Sequence, residues 1–379
     1  MPCSRERNLT HMSLRTSTVA CLARGLPATR AGRLLILIYH RVRPQPDPMF
    51  PGEVDAVRFD GQMALLRRHC HPMPLRAAVA GLADRSLPPR AVAVTFDDGY
   101  ADNASVALPI LQRHGIPATF FITAGYLDGG RMWNDSIIEA IRRATARSLD
   151  LTDLGLGTVE LESPLARGGV AETIIRKVKH LEPLERQARV DSLCRRTAVA
   201  LPGDLMMTSA QVRELAGSGM EIGAHTMTHP ILRSIAVAEA RREIDQSRQH
   251  LQSITGQAVN GFAYPNGRPQ DDYTTRDRDL VEELGFQYAL ATVNGSATPH
   301  SDRFQLPRFS PWDRQPERWL ARLMLAFARA ARGRKCPAAG SRPRRFTCSP
   351  RCFQARRSRR RGCSCVRGRS DCVRLSVWS

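Results

Sequence analysis

The sequence predicts an α/β protein built on a parallel sheet or (β/α) barrel, and three observations predict it. Short apolar runs such as AVAVTF (residues 91–96) recur along the chain, as strands covered on both faces require. Stretches of helical period separate them, and such alternation argues for a parallel sheet or barrel. Two of the strands end in chemically demanding residues, Asp97 with Asp98 and His225 with His229, at the rim where barrel enzymes carry their sites.

Element by element, residues 34–40 read as a strand and 59–70 as a helix with Met63, Leu65 and Leu66 apolar. The strand over 91–96 is followed by a helix over 105–114 closed by Gly115, and Pro117 opens a strand over 118–123. A helix over 135–146 sets Ile137, Ile138 and Ile141 on one face. Residues 149–205 break the rhythm and read as a helical insertion over one end of the fold, with helices near 172–180 and 183–200. Thr208 and Gln211 fit a capping box for a helix ending near Gly217 or Gly219. Strands over 221–224, 261–264 and 286–292 then alternate with helices over 236–255 and 276–284. A last amphipathic helix over 315–332 carries Leu320, Leu323, Met324 and Phe327 on one face.

The organisation expected is therefore a barrel over 34–332, flanked by an extension over 1–33 and a tail over 333–379. A chain of 379 residues has length for one large barrel domain with extras. The net charge of +20 is unevenly placed: residues 331–379 hold fifteen Arg or Lys and one acid, Asp371, leaving +6 for the other 330 residues. Six of the ten cysteines fall in the same segment, without the paired C-x2-C spacing of structural zinc sites. The tail lacks a periodic apolar pattern and cannot bury enough surface to fold alone. It reads as a disordered extension or as the product of a frame error. A specific nucleic-acid partner is not expected, since Arg-rich runs alone are weak evidence for one.

The extension over 1–33 is rich in Arg, Ser and Thr, and Arg15 and Arg24 interrupt its apolar stretch. No export signal is read there. The apolar run over 34–39 is far shorter than the about 20 residues a membrane span needs. The expected location is cytoplasmic by default, with the cell envelope as the alternative.

Two adjacent carboxylates at a buried strand end repel each other unless one binds a cation or a proton. Two imidazoles four positions apart converge on one ion if they share a helical turn, which Pro230 would terminate. Two histidines and a carboxylate suit Zn²⁺ or a similar divalent ion, with positions left for water and substrate.

TFDDG (95–99) and HTMTHP (225–230) resemble the first and second motifs of the polysaccharide deacetylases of carbohydrate esterase family 4, which carry the NodB homology domain. The resemblance covers about residues 34–314. It implies a distorted (β/α) barrel and metal-dependent removal of N-acetyl groups from amino-sugar polymers. Carried over residue by residue, Asp97 would be the general base, and Asp98, His225 and His229 would hold one divalent metal ion, with zinc expected.

The third motif departs from the family pattern, since AYPNG (263–267) puts Ala263 where many relatives have the arginine that orients the base. Asn266 could still offer its backbone N–H to the oxygen that gains charge. Arg308 is the candidate to supply the missing guanidinium; a surface arginine beside a strand is the other reading. The family's late histidine is absent as well. A branch acting on exopolysaccharides carries an early Tyr-His pair, matched here by Tyr39-His40, so His40 is the candidate general acid, and a packed strand-end histidine the alternative. Trp133, Tyr264 and Trp312 would either stack on a sugar ring or cover the core.

The activity expected is thus a metal-dependent hydrolase acting on N-acetylated glycans. A catalytically inactive carbohydrate-binding barrel is the alternative, motivated by the altered third motif. A non-haem iron oxygenase fits less well, since Asp98 and His225 are far apart in sequence. The polymer, the ion, the compartment and the oligomeric state are not legible.

Overall fold

The computed structural model describes residues 32–310 and 313–328. Trp312, residues 1–31 of the expected extension over 1–33, residues 329–332 of the expected last helix and the tail over 333–379 lie outside the described residues. Strands β1 (Leu34–Tyr39), β3 (Ala91–Phe96), β4 (Ala118–Ile122), β7 (Glu221–Ala224), β8 (Gly261–Ala263), β9 (Tyr288–Asn294) and β10 (Leu306–Arg308) pair in that order, all in parallel. The two-residue β2 (His71–Pro72) adds to the start of β3. Beyond β10, Phe309 donates its N–H to Ile36 O (2.7 Å) and accepts the Ile38 N–H (3.1 Å), which ties the last strand back to β1. The sheet is thereby a nearly closed, distorted (β/α) barrel, as expected.

The period-two alternation of the strands sorts two apolar layers. Leu35, Leu37, Val92, Val94, Phe120 and Ile122 face outward against helices, including Phe59, Met63 and Leu66 of α1 (Ala56–His69). Leu34, Ile36, Ala91, Ala93, Phe121, Tyr288 and Leu290 fill the interior together with α2 (Leu75–Ala83), which packs against β1 and β3. Glycine makes room there, since a Cβ on Gly223 would stand 2.3 Å from the Phe121 ring and one on Gly261 2.6 Å from Tyr288.

Several elements differ from expectation. Helix α1 starts three residues early because the Asp55 side chain accepts the Arg58 N–H (2.9 Å) and caps it. Helix α2 and β2 went unread. The helix expected over 105–114 is a π-turn over Asn103–Ala107 leading into α3 (Leu108–His114). Helix α4 (Trp133–Arg143) begins before Asp135. The insertion is not all helical: a hairpin of β5 (Ser148–Asp150) and β6 (Thr158–Glu160) precedes α5 (Pro164–Val178) and α6 (Pro183–Thr197).

The insertion shares a second core with α4 and the loops after β1 and β3. Ile137, Ile138 and Ile141 of α4 pack with Ile174, Ile175, Val178 and Leu193. Arg142 of α4 clamps the unit to the loop after β1 through Asp47, by contacts of 3.0 and 2.7 Å. The chain returns to the barrel through α7 (Ser209–Gly217), which opens on the expected Thr208–Gln211 capping box. Helices α8 (Val237–Thr255), α9 (Thr275–Glu283) and α10 (Pro316–Ala328) complete the outer layer, and α10 buries Trp319, Leu320, Leu323, Met324 and Phe327. Among the described residues no helix is long and apolar enough to cross a membrane.

Candidate active site

The turn after β3 sends its two carboxylates to different destinations. The Asp97 N–H extends the β1–β3 pairing by donating to Tyr39 O (2.9 Å). Asp98 then adopts φ +76° and Gly99 φ +92°, a left-handed pair that costs least with glycine. The Thr123 N–H holds the Asp98 carbonyl (3.1 Å), and a Cβ on Gly99 would stand 2.9 Å from the Ile122 side chain.

Asp97 meets Arg308. The buried guanidinium donates through Nη1 to Asp97 Oδ1 (2.7 Å), through Nε to Ala291 O (3.2 Å) and through Nη2 to Thr292 Oγ1 (3.3 Å). Burial pushes the Asp97 pKa up, but the charge and hydrogen bond of Arg308, helped by His225 and His40, leave it below the usual carboxylate value. A buried carboxylate held ionised in one orientation is able to accept a proton. The surface-arginine reading of Arg308 does not hold.

Asp98 meets the two histidines. Its Oδ1 lies 3.5 Å from Nε2 of His225 and 3.5 Å from Nε2 of His229, and the three ligand atoms fall within 4.8 Å of one another. Around one tetrahedral zinc, ligand atoms at about 2.1 Å stand roughly 3.4 Å apart, so the donor set and its spacing fit a single divalent ion. His225 Nδ1 lies 2.7 Å from Ala263 O; a carbonyl only accepts, so Nδ1 donates there and the ring turns Nε2 toward Asp98. Burial takes the His229 pKa down to about 3, against the pull of Asp98, leaving a neutral imidazole. Burial acts likewise on His225, but its contact with Asp98 and the charges of both aspartates leave it above the usual value. A pocket that draws a proton onto an imidazole also draws a cation.

The histidine pair does not share a helical turn, contrary to expectation. Thr226 and His229 have φ of +66° and +55°, and the segment is an irregular loop that brings the rings to 4.9 Å between centroids. The loop is shaped by Glu243 of α8, which accepts the N–H of Met227 (2.9 Å) and Thr228 (2.8 Å) and the Thr228 hydroxyl (2.8 Å). Sequence reading missed Glu243, whose only local signal is an acid on an otherwise ordinary amphipathic helix.

His40 directly follows β1, half-buried, and its charge acts on both Asp97 and Asp98. Its backbone carbonyl accepts from Asn103 Nδ2 (2.9 Å). Asn266 (φ +59°) occupies the tight turn after β8 and lines one cleft with Asp98, His229 and Trp133. Trp133 is half-buried at the start of α4, with the Arg186 guanidinium 5.0 Å from its ring centre.

Tyr264 is a correction. It is fully buried, stacks on Tyr273 at 3.8 Å and donates its hydroxyl to Phe304 O (3.0 Å). No face of it remains for a sugar, and it belongs to the core. A second group went unread: buried Asp135 accepts the Tyr100 hydroxyl at 3.2 Å, and burial raises its pKa to about 7. Arg41 covers the Tyr100 ring at 4.4 Å and binds Asp102 at 2.7 Å, bracing the segment just after Asp98.

Comparison with known proteins places this geometry in context. A family model described as polysaccharide deacetylase matches residues 84–151 and 188–289. The putative polysaccharide deacetylase YxkH of Bacillus subtilis (strain 168) is 20% identical over 281 residues, covering 74% of this chain and 71% of the relative. Among solved structures, the Streptococcus pyogenes deacetylase PplD in complex with acetate superposes with TM-score 0.51 at 19% identity, covering 77% of this chain and 98% of that one. IcaB from Ammonifex degensii superposes with TM-score 0.51 at 21% identity, covering 76% and 97%. At these identities the superpositions speak for a shared fold.

Proposed function

This chain belongs to the polysaccharide deacetylase family, hydrolases that act on N-acetyl amide bonds, and from that premise we propose that it removes N-acetyl groups from an amino-sugar polysaccharide or oligosaccharide, an exopolysaccharide or envelope glycan, with one divalent ion. The observation that carries the reading is the pairing of two neighbouring sites. Asp98, His225 and His229 converge within 4.8 Å, while Asp97 beside them is held by Arg308 at 2.7 Å and stays out of that cluster's bonds.

Asp98 and the Nε2 atoms of His225 and His229 would hold the ion, with zinc the best match to a two-nitrogen, one-oxygen set. Such an ion, when bound, supplies Lewis acidity that polarises a carbonyl and lowers the pKa of water. Asp97 takes the proton from the attacking water as general base. Arg308 keeps that carboxylate ionised and aimed. Asn266, in its left-handed turn at the cleft, offers its backbone N–H to the carbonyl oxygen as charge develops there. His40 gives a proton to the departing amine, without which the C–N bond breaks slowly. Trp133 lends the cleft an apolar edge for a sugar ring. The presence of Arg308 weakens the inactive-barrel alternative, because the guanidinium missing from the third motif is supplied from β10.

The test is acetate release from N-acetylglucosamine oligomers and acetylated exopolysaccharides, with and without a chelator, on wild type and Asp97→Asn. The reading expects release that the chelator abolishes, and a loss of about a thousandfold in Asp97→Asn with bound metal retained. Chelator-insensitive release, or an Asp97→Asn enzyme of normal rate, contradicts it.

A further inference from the structure

Three peptide groups around His40 are tied to the segment that opens with Asp97. Tyr39 O accepts the Asp97 N–H (2.9 Å), His40 O accepts from Asn103 Nδ2 (2.9 Å), and the Val42 N–H donates to Asp102 Oδ1 (3.1 Å). Arg41 Nε donates to the other oxygen of Asp102 (2.7 Å), so that acid is paired as well as buried. His40 thus leaves β1 with its backbone held on both sides by residues that follow the Asp-Asp turn.

Asn103 reaches His40 from the irregular turn before α3. Its N–H returns to Tyr100 O (2.9 Å), and the Leu108 N–H closes on Asn103 O, one residue further than an α-helix would reach. Such π-turns are frequent at functional sites. The amide is fully buried, and Nδ2 also lies 3.3 Å from Asp102 Oδ1. Both neighbours only accept, so the nitrogen of the amide, and not its oxygen, must face His40. The charge of His40 reaches Asp97 and Asp98, which sets its ring at the reacting end of the barrel. As the C–N bond breaks, the electron pair stays with nitrogen and the proton comes from His40. That transfer needs the ring within about 3 Å of the leaving nitrogen, and a misplacement of about 1 Å costs up to about a hundredfold.

We propose that Asn103 is a positioning residue for the acid step: by holding the His40 carbonyl it fixes the strand end from which the imidazole projects toward the departing amine. The proposal rests on the reading of His40 as the general acid. Asn103 itself touches neither substrate nor the reacting atoms, and its whole effect on the rate passes through His40.

Two reactions of the purified full chain test it: acetate release from N-acetylglucosamine oligomers, and hydrolysis of an activated aryl acetate, whose leaving group departs without a proton. Asn103→Leu is expected to slow the amide reaction about tenfold or more and to leave the aryl acetate rate within about twofold of wild type. In a His40→Ala background the same substitution is expected to cost nothing further on the amide, since residues that act as a unit do not add. Equal losses on both substrates, no loss on the amide, or the full loss repeated in the His40→Ala background overturns the proposal. The ring is also read directly in protein with labelled histidines. Its NMR signal, assigned by its disappearance in His40→Ala, is expected to move in Asn103→Leu while those of His225 and His229 stay; a His40 signal that stays overturns the proposal. Should circular dichroism show Asn103→Leu unfolded, Asn103→Ala takes its place under the same criteria, and unfolding of both overturns the proposal. Should wild type release no acetate, or His40→Ala slow both substrates equally, it is the reading of the site that fails, and the NMR signal alone decides whether Asn103 holds His40.

Discussion

Arg308 Nη1 lies 2.7 Å from Asp97 Oδ1, joining two buried side chains 211 positions apart in sequence. The family motif that would place an arginine beside β8 is broken at Ala263, and the same positive charge arrives from β10 instead. With Ala291 O and Thr292 Oγ1 as its other acceptors, the guanidinium has little freedom to turn away.

Arg308→Met should therefore damage both stability and rate. Breaking a buried pair from one side costs about 3–5 kcal/mol, and a carboxylate free to swing should lower kcat about a hundredfold. Arg308→Lys restores charge without the fork and should recover part of each. Thermal unfolding and steady-state kinetics on the three proteins check this; a fully active, fully stable Arg308→Met contradicts it.

If His40 protonates the leaving amine, His40→Ala should slow amide hydrolysis by about a hundredfold or more. An activated aryl acetate, whose leaving group departs without a proton, should be hydrolysed at close to the wild-type rate. Equal losses on both substrates would instead mark His40 as a support for the strand end.

Tyr264→Phe keeps the stack on Tyr273 and removes one buried hydrogen bond to Phe304 O. The expected cost is about 1 kcal/mol of stability with KM unchanged. A raised KM in a protein of wild-type Tm would return Tyr264 to the sugar site.

The Asp47–Arg142 clamp gives a pH signature. Burial raises the Asp47 pKa, but the hydrogen bonds from Arg142 and Met49 and the charges of Arg142 and Arg43 leave it below the ordinary value. A carboxylate depressed in the folded state adds stability above its unfolded pKa of about 3.9 and loses it as pH falls through the folded value. Asp47→Asn should cost about 1–3 kcal/mol near neutrality, and the gap from wild type should close below about pH 4. Urea unfolding at several pH values checks the shape; a gap that widens in acid contradicts it.

Much of this fold was readable because strand and helix leave different periods in the chain, and runs such as AVAVTF admit one interpretation. Short elements left no such trace. The two residues of β2 are too few to show alternation, and α2 hides in an Ala-rich stretch after His71-Pro72 with no capping side chain. The insertion hairpin was missed because Ser148–Asp150 and Thr158–Glu160 are largely polar and solvent-facing.

The residues that meet at the candidate site follow local motifs, so Asp97, Asp98, His225 and His229 could be named in advance. How they meet could not. The spacing of the histidines suggested a helical turn, whereas two left-handed residues and Glu243, brought from another helix, shape the loop. Where Arg308 points depends on barrel closure, a property of the whole sheet. Tyr264 misled because an aromatic after a strand has the same local signature whether it faces a cleft or a second tyrosine.

The central claim is that one divalent ion is gripped by Asp98, His225 and His229. Metal content of the purified chain, measured by elemental analysis after dialysis against trace divalent ions, tests it most directly alongside His229→Ala and Asp97→Asn. The account predicts one ion per wild-type chain, one in Asp97→Asn and a large loss in His229→Ala; a wild type without bound metal, or a His229→Ala protein that keeps its full complement, would contradict it.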